Sequence, residues 1–296
     1  MIFSHSRFRS PWQSLKLMLA RRVLRVLLAG RSSNQHPRFV VLPGDVVSEE
    51  ILVSGLYEEA LLIPLFEGIL KNQSKNFSGQ IALDIGANVG NHSLFFSRKF
   101  SRVLAFEPNP DALAILRCNV ALSLPIRNIE IIPVGLGNKN GEFSFHQSLQ
   151  GNLGGSGFSF AGITDGHEVI CPLRRGDDLL KPQLLTAKVG LVKLDVEGAE
   201  LAALMGLEKT LRRDLPVVLF ESNFSDGLQG GEATIGWLRS LGYSSFASLE
   251  EIGAALPKWH RLLRRLWLGE IVEARSIERL ENRRYSMLIA LPPCDT

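Results

Sequence analysis

The sequence predicts an α/β fold built on a doubly wound, mostly parallel sheet. Two observations carry this prediction. From about residue 79, short apolar runs alternate with helix-like segments, the pattern of a parallel sheet covered on both faces. The chain has 296 residues, 45% of them hydrophobic, enough to fill one large core of this kind or two small ones.

The elements follow in order. A helical approach segment covers residues 45–78 and contains Gly55, Tyr57, Glu58 and Glu59. The first strand, 80–85, is the apolar run that ends Leu83-Asp84-Ile85. The turn Gly86-Ala87-Asn88-Val89-Gly90 closes it, and a helix over 91–99 follows. The second strand, 102–106, leads through Glu107-Pro108 into a helix over 110–122. Asn109 is its N-cap, Pro110 opens its first turn and Asp111 comes next. Further strands are expected at 129–134, 190–194 and 216–220, with helices at 199–212 and 232–241. Two extra strands, 142–147 and 168–173, flank a Gly/Ser-rich loop over 151–157. A late antiparallel strand over 284–291 closes the chain. No internal repeat is present.

Charge divides the chain in two. Residues 1–44 hold eight Arg or Lys and no acid, whereas residues 45–296 hold 25 basic and 30 acidic side chains. An acidic body argues against nucleic acid as a partner. The stretch from Leu15 to Leu28 is too short and too charged to span a bilayer, and no secretory cleavage site follows it. On a helix, Leu17, Leu19, Val23, Leu24 and Val26 to Leu28 share one face, and Arg21, Arg22 and Arg25 the other. That suits packing on the body or peripheral contact with an anionic membrane. Residues 258–268 repeat the pattern, with Trp259, Leu262, Leu263, Leu266 and Trp267 opposite Lys258, Arg261, Arg264 and Arg265, and read as a helix packed on the body or serving as a substrate lid in preference to a membrane contact. The chain therefore divides into a basic amphipathic segment, 1–44, and an α/β domain, 45–296. The three cysteines, Cys118, Cys171 and Cys294, are too few and too scattered for a disulfide framework or a metal site. They point to a reducing, cytoplasmic setting, with the inner membrane face as the place of any peripheral contact.

The chemistry gathers at the ends of the strands. Gly and Asn in the turn 86–90 let the backbone approach a ligand closely, and the helix start behind it offers free N–H groups. Asp84 gains nothing from a phosphate but a great deal from an ammonium group. S-adenosyl-L-methionine carries an ammonium, a sulfonium and a ribose, and no phosphate. Glu107, ending the neighbouring strand, is placed to accept both ribose hydroxyls. Asp195 and Glu197, in Asp195-Val196-Glu197-Gly198-Ala199-Glu200, stand on the acceptor side, where a carboxylate can orient or deprotonate a hydroxyl. Glu221, ending the next strand, is a weaker candidate. His92 reads as a helix-surface residue.

Taken together, these three motifs and the preceding Gly55-Leu56-Tyr57-Glu58 resemble the FkbM-type family of methyltransferases over roughly residues 45–225. The resemblance implies a class I, Rossmann-like fold and S-adenosylmethionine-dependent O-methylation, most often of a hydroxyl on a sugar or a polyketide-like scaffold; the acceptor expected here is a sugar, glycolipid or related metabolite. It assigns Asp84, Gly86, Asn88 and Gly90 to the cofactor turn, Glu107 to the ribose, and Asp195 and Glu197 to the methyl-transfer centre. One departure is Gly135-Leu136-Gly137 after the third strand, where many methyltransferases place an acid toward adenine. Adenine contact would then rest on backbone groups and Leu136. Two alternatives stay open: a nicotinamide-dependent oxidoreductase and a non-catalytic nucleoside-binding module. The first lacks a second turn glycine at position 88, and no tyrosine has a lysine four residues on.

Overall fold

The computed structural model describes residues 10–29, 37–123, 126–148, 153–162, 166–180, 187–222, 227–252, 257–269, 271–281, 283 and 285–293. Parts of the basic segment, the first residues of the Gly/Ser loop, residue 284 and Cys294 lie outside these.

In chain order the elements are α1 (Pro11–Ala29), α2 (Val46–Ser54), α3 (Glu59–Pro64), β1 (Ile81–Ile85), α4 (Asn91–Phe96), β2 (Arg102–Phe106), α5 (Pro110–Leu122), β3 (Ile129–Ile132), β4 (Gly135–Leu136), β5 (Gly141–Gln147), β6 (Gly157–Phe158), β7 (His167–Arg174) and α6 (Gly176–Leu180). They continue with β8 (Val189–Leu194), α7 (Glu200–Gly206), α8 (Glu208–Asp214), β9 (Val217–Ser222), α9 (Gly227–Ser240), β10 (Ser245–Glu251), α10 (Lys258–Leu268), β11 (Val272–Ser276) and β12 (Tyr285–Leu291).

The main sheet runs β11-β10-β12-β9-β8-β1-β2-β3. From β3 to β9 all neighbours are parallel. β12 inserts antiparallel between β9 and β10, which is the late antiparallel strand the sequence predicts. The fold is Rossmann-like. Buried clusters pack on both faces of the sheet. One is built on Leu83, Leu104, Val192 and Phe220, the other on Phe66, Phe77, Phe96 and Ile289. This two-sided burial explains why β1, β2 and β8 read as apolar runs rather than alternating strands.

The structure departs from the sequence expectation in three places. The helix expected over 199–212 is two helices. Asp177, from α6, accepts the backbone N–H of Lys209 (2.8 Å) and Thr210 (3.0 Å) and the Thr210 hydroxyl (2.8 Å), so it caps α8 from outside. Gly206 sits at the break, and a Cβ there would lie 2.0 Å from the Gly137 carbonyl oxygen. Asp177→Ala is expected to cost about 1–3 kcal/mol, because it removes a buried cap. A lowered Tm with unchanged ligand binding is the expected readout. Second, β4, β5, β6 and β7 form a separate small sheet, order β4-β7-β5-β6, beside the main one. Third, β10 and β11 extend the main sheet beyond the expected strands.

The described side chains of α1 are exposed along its length. From Arg38 onward the chain is tied to the body. The Ser123 hydroxyl donates to the Arg38 carbonyl, and the Val40 N–H donates to Asn119 Oδ1 at 2.6 Å.

Candidate active site

The carboxyl ends of β1, β2 and β8 meet at one edge of the sheet, where parallel α/β folds hold ligands. There an open cleft of about 590 Å³, mouth included, lies among Gly86, Asn88, Glu107, Asn109, Leu136 and Asp195, with Phe145 and Phe158 of the small sheet facing them.

The turn after β1 is built as its glycines require. Gly86, Asn88 and Gly90 take left-handed backbone angles, with φ of 78°, 50° and 91°. Gly86 is also a point of close approach. A Cβ there would lie 1.8 Å from the Asp195 backbone oxygen, so the β1 and β8 turns pack backbone to backbone. The side-chain oxygen of Asn88 and the side-chain nitrogen of Asn109 are buried without hydrogen-bond partners, and both residues line the cleft. Unpaired buried polar atoms at a cleft are what a polar ligand satisfies.

Glu107 joins the turn to the second strand. One carboxylate oxygen accepts the Asn88 N–H at 2.7 Å, the other the Asn109 N–H at 2.8 Å. Each oxygen retains a lone pair for a hydroxyl donor. Burial pushes the carboxyl up to about 7, with the two N–H groups and Lys193 pulling the other way. The apo protein therefore holds a proton on Glu107 between its ordinary acid range and neutrality, and stability from this group falls as pH rises through that window. A ribose donating two hydroxyl protons needs the ionised form. Its affinity is expected to fall as pH drops below about 7, by up to ~10-fold per unit. Glu107→Gln is expected to bind more weakly and to lose that pH dependence, which titration at pH 6 and pH 8 checks.

The structure places Asp84 behind the turn and not on the cleft wall. It is fully buried. Ser93 Oγ donates to it at 2.6 Å, and Lys193 Nζ lies 3.7 Å away. Lys193, also buried, lies 3.2 Å from Asp195 and 3.5 Å from the Gly86 carbonyl oxygen. Burial disfavours its charge, but Asp195 and Asp84 outweigh that and hold it protonated. One cation thus links Asp84, the turn backbone and Asp195. Asp195 is partly exposed and lines the cleft. Glu197 lies just beyond it in a left-handed conformation (φ 49°), with Gly198 following at 94°. Non-glycine residues rarely sit there, and such strain gathers at functional turns.

The approach segment reaches the same edge. The amide of Asn91, in α4, clasps the Tyr57 backbone twice: Oδ1 accepts its N–H and Nδ2 donates to its carbonyl, both at 2.9 Å. Burial raises the Tyr57 phenol, and the carboxylates of Glu58, Glu221, Asp195 and Glu50 add to this, so it stays protonated. His92 is not on a helix surface. It is buried, with Nε2 3.3 Å from Glu58.

The structure thus brings together Gly86, Asn88, Glu107 and Asp195 at one cleft, with Gly90 beside them and Asp84 as their support. Lys193, Phe145, Phe158 and the burial of His92 join the site only in the folded protein. A lysine inside an otherwise apolar strand was a signal, since such a charge needs a partner. The phenylalanines belong to the small sheet, and no local pattern ties them to the cleft.

A family model for the FkbM methyltransferase domain matches residues 84–245, more than half of the chain. The chain belongs to the FkbM methyltransferase family. The FkbM match begins at Asp84 itself and takes in each of the cleft residues named above. Methyltransferase sdnD of Sordaria araneosa is 28% identical over 160 residues, covering 45% of this chain and 62% of that protein. Hexuronic acid methyltransferase AglP of Haloferax volcanii is 34% identical over 133 residues, covering 44% and 50%. The matches thus span about half to three-fifths of these relatives' own length. Among solved structures, an FkbM methyltransferase from Methylobacillus flagellatus KT aligns with a TM-score of 0.43 at 15% identity, over 72% of this chain and 44% of that one.

Proposed function

We propose that this protein is an S-adenosylmethionine-dependent methyltransferase acting on a hydroxyl of a sugar, glycolipid or related metabolite. The observation that carries the proposal is the junction of the Gly86–Gly90 turn with Glu107, made by the Asn88 N–H, at the ligand edge of the sheet. It joins a close-approach backbone to a buried carboxylate with acceptor capacity left for a diol. The turn lacks the second glycine of a pyrophosphate cradle, which favours a nucleoside without phosphate. Family membership supports methyl transfer, and the name of the Haloferax relative supports a sugar acceptor.

The residues present fit that cofactor. Glu107 would take the ribose hydroxyls, and Gly86, Asn88 and Gly90 would supply the turn. Leu136, Phe145 and Phe158 give an apolar wall for adenine. When bound, S-adenosylmethionine supplies an activated methyl group on a sulfonium. The protein's task is then to hold the acceptor hydroxyl in line and take its proton. Asp195 is the first candidate for that proton, because it faces the cleft and Lys193 fixes its carboxylate. Glu197 is the second. Asp84 acts through the turn, holding Ser93 and Lys193 in place behind it. Peripheral contact of α1 with an anionic membrane belongs to the same reading, supported by its exposed apolar residues and its lack of acids.

Binding of labelled S-adenosylmethionine, then methyl turnover on a panel of hydroxyl-rich acceptors, tests the proposal. Saturable binding with turnover supports it. Binding without turnover favours the nucleoside-binding module, and binding of NAD in its place favours the oxidoreductase.

A further inference from the structure

Along the second amphipathic helix, α10, the described apolar side chains are exposed. Trp259, Leu263 and Trp267 recur every four residues and so share one face. That face is turned to solvent: Trp259 is 60% exposed and Trp267 86%, with Leu263 open between them. Arg264, by contrast, is half-buried, and its guanidinium donates to the carbonyl of Ile252 in the body. A contiguous exposed apolar face of this size on a soluble body marks a contact surface.

Charge selects the occupant. The helix carries Lys258, Arg261, Arg264 and Arg265 and no acid. Neither α1, which is also basic and acid-free, nor a second copy of α10 offers a counter-charge. An anionic lipid surface does, and tryptophan favours the headgroup boundary, where an apolar ring and an N–H are both accommodated. Residues 45–296 carry a surplus of acids. Such a surface therefore repels most of the body and attracts this helix.

Topology fixes where the helix stands. β10 runs antiparallel to β12, and β12 antiparallel to β9, so β10 ends at the edge where β1, β2 and β8 end. β11 starts there too, since Val272 pairs with Glu251. The excursion that contains α10 leaves and re-enters the sheet at the catalytic edge.

We infer that α10 docks its Trp259–Leu263–Trp267 face on an anionic lipid surface, and that the acceptor side of the cleft opens toward that surface. The second half rests on the methyl-transfer reading; the first does not. The acceptor class this selects is a hydroxyl-bearing headgroup on a lipid or lipid-linked carrier.

Full-length Trp12→Phe protein, mixed with vesicles of equal phosphatidylcholine and phosphatidylglycerol carrying brominated acyl chains, tests the docking. With Trp12 removed and Trp237 packed on the body core, quenching reports Trp259 and Trp267. Marked quenching is expected, absent with pure phosphatidylcholine vesicles. The full-length Trp259→Ser/Trp267→Ser variant is expected to bind the anionic vesicles about tenfold or more weakly, with labelled S-adenosylmethionine binding unchanged. Unquenched fluorescence, equal quenching on neutral vesicles, or undiminished binding of the double variant overturns the inference. None of these results bears on methyl transfer itself.

Discussion

Gly86→Ala is expected to abolish S-adenosylhomocysteine binding and to lower stability. Two independent effects act at this one position. The backbone of Gly86 is left-handed (φ 78°), which costs an alanine about 1 kcal/mol. The added Cβ also meets the Asp195 carbonyl oxygen at 1.8 Å, a backbone atom that no side-chain rotation can remove. Forcing the β1 and β8 turns apart costs about 1–3 kcal/mol more, by analogy with overpacked cores. It also displaces the wall of the cleft and the Asp195 backbone together. Gly162→Ala is the matched control, because Gly162 has φ 91° with nothing near its Cβ position. It is expected to show the conformational penalty alone. Thermal unfolding and titration with S-adenosylhomocysteine, run on both variants, separate the two effects. Retained binding in Gly86→Ala would remove the turn from the site.

Asp195→Asn is expected to lower kcat roughly 10²-fold or more while cofactor affinity changes little. The amide keeps the shape and loses the basic oxygen. Lys193 retains Asp84 as its second partner, so the turn behind the site is left standing. Equal losses in kcat and cofactor affinity would reassign Asp195 to cofactor binding. Lys193→Met behaves differently. It strands Asp84, fully buried, beside a second carboxylate without a cation, and is expected to cost about 3–5 kcal/mol of stability.

How far the sequence reveals this arrangement depends on whether the deciding contact is local. β1, β2 and α5 stand within a residue of their expected bounds, because punctuation sits beside them: the glycine turn at 86–90, and Asn109-Pro110-Asp111 at the helix start. The helix expected over 199–212 is broken by a cap that arrives from Asp177, some thirty residues earlier in the chain, so no local pattern announces it. β10 and β11 mix polar and apolar residues at the sheet margin, where burial imposes no continuous apolar run. At the site, Glu107 and Asp195 are legible from their strand-end positions. The tie between Glu107 and Asn88, and the lysine that unites Asp84 with Asp195, exist only once the strands are side by side. Asp84 shows the difference most clearly. Read alone, it is a partner for a ligand's ammonium; in the folded protein its neighbours are Ser93 and Lys193.

The most direct test of the account is calorimetric titration of the protein with S-adenosylmethionine and, separately, with NAD. Saturable heat is expected with S-adenosylmethionine, weakening below about pH 7 as Glu107 takes up its proton, and none with NAD. No heat with the sulfonium compound, together with saturable heat from the dinucleotide, would contradict it.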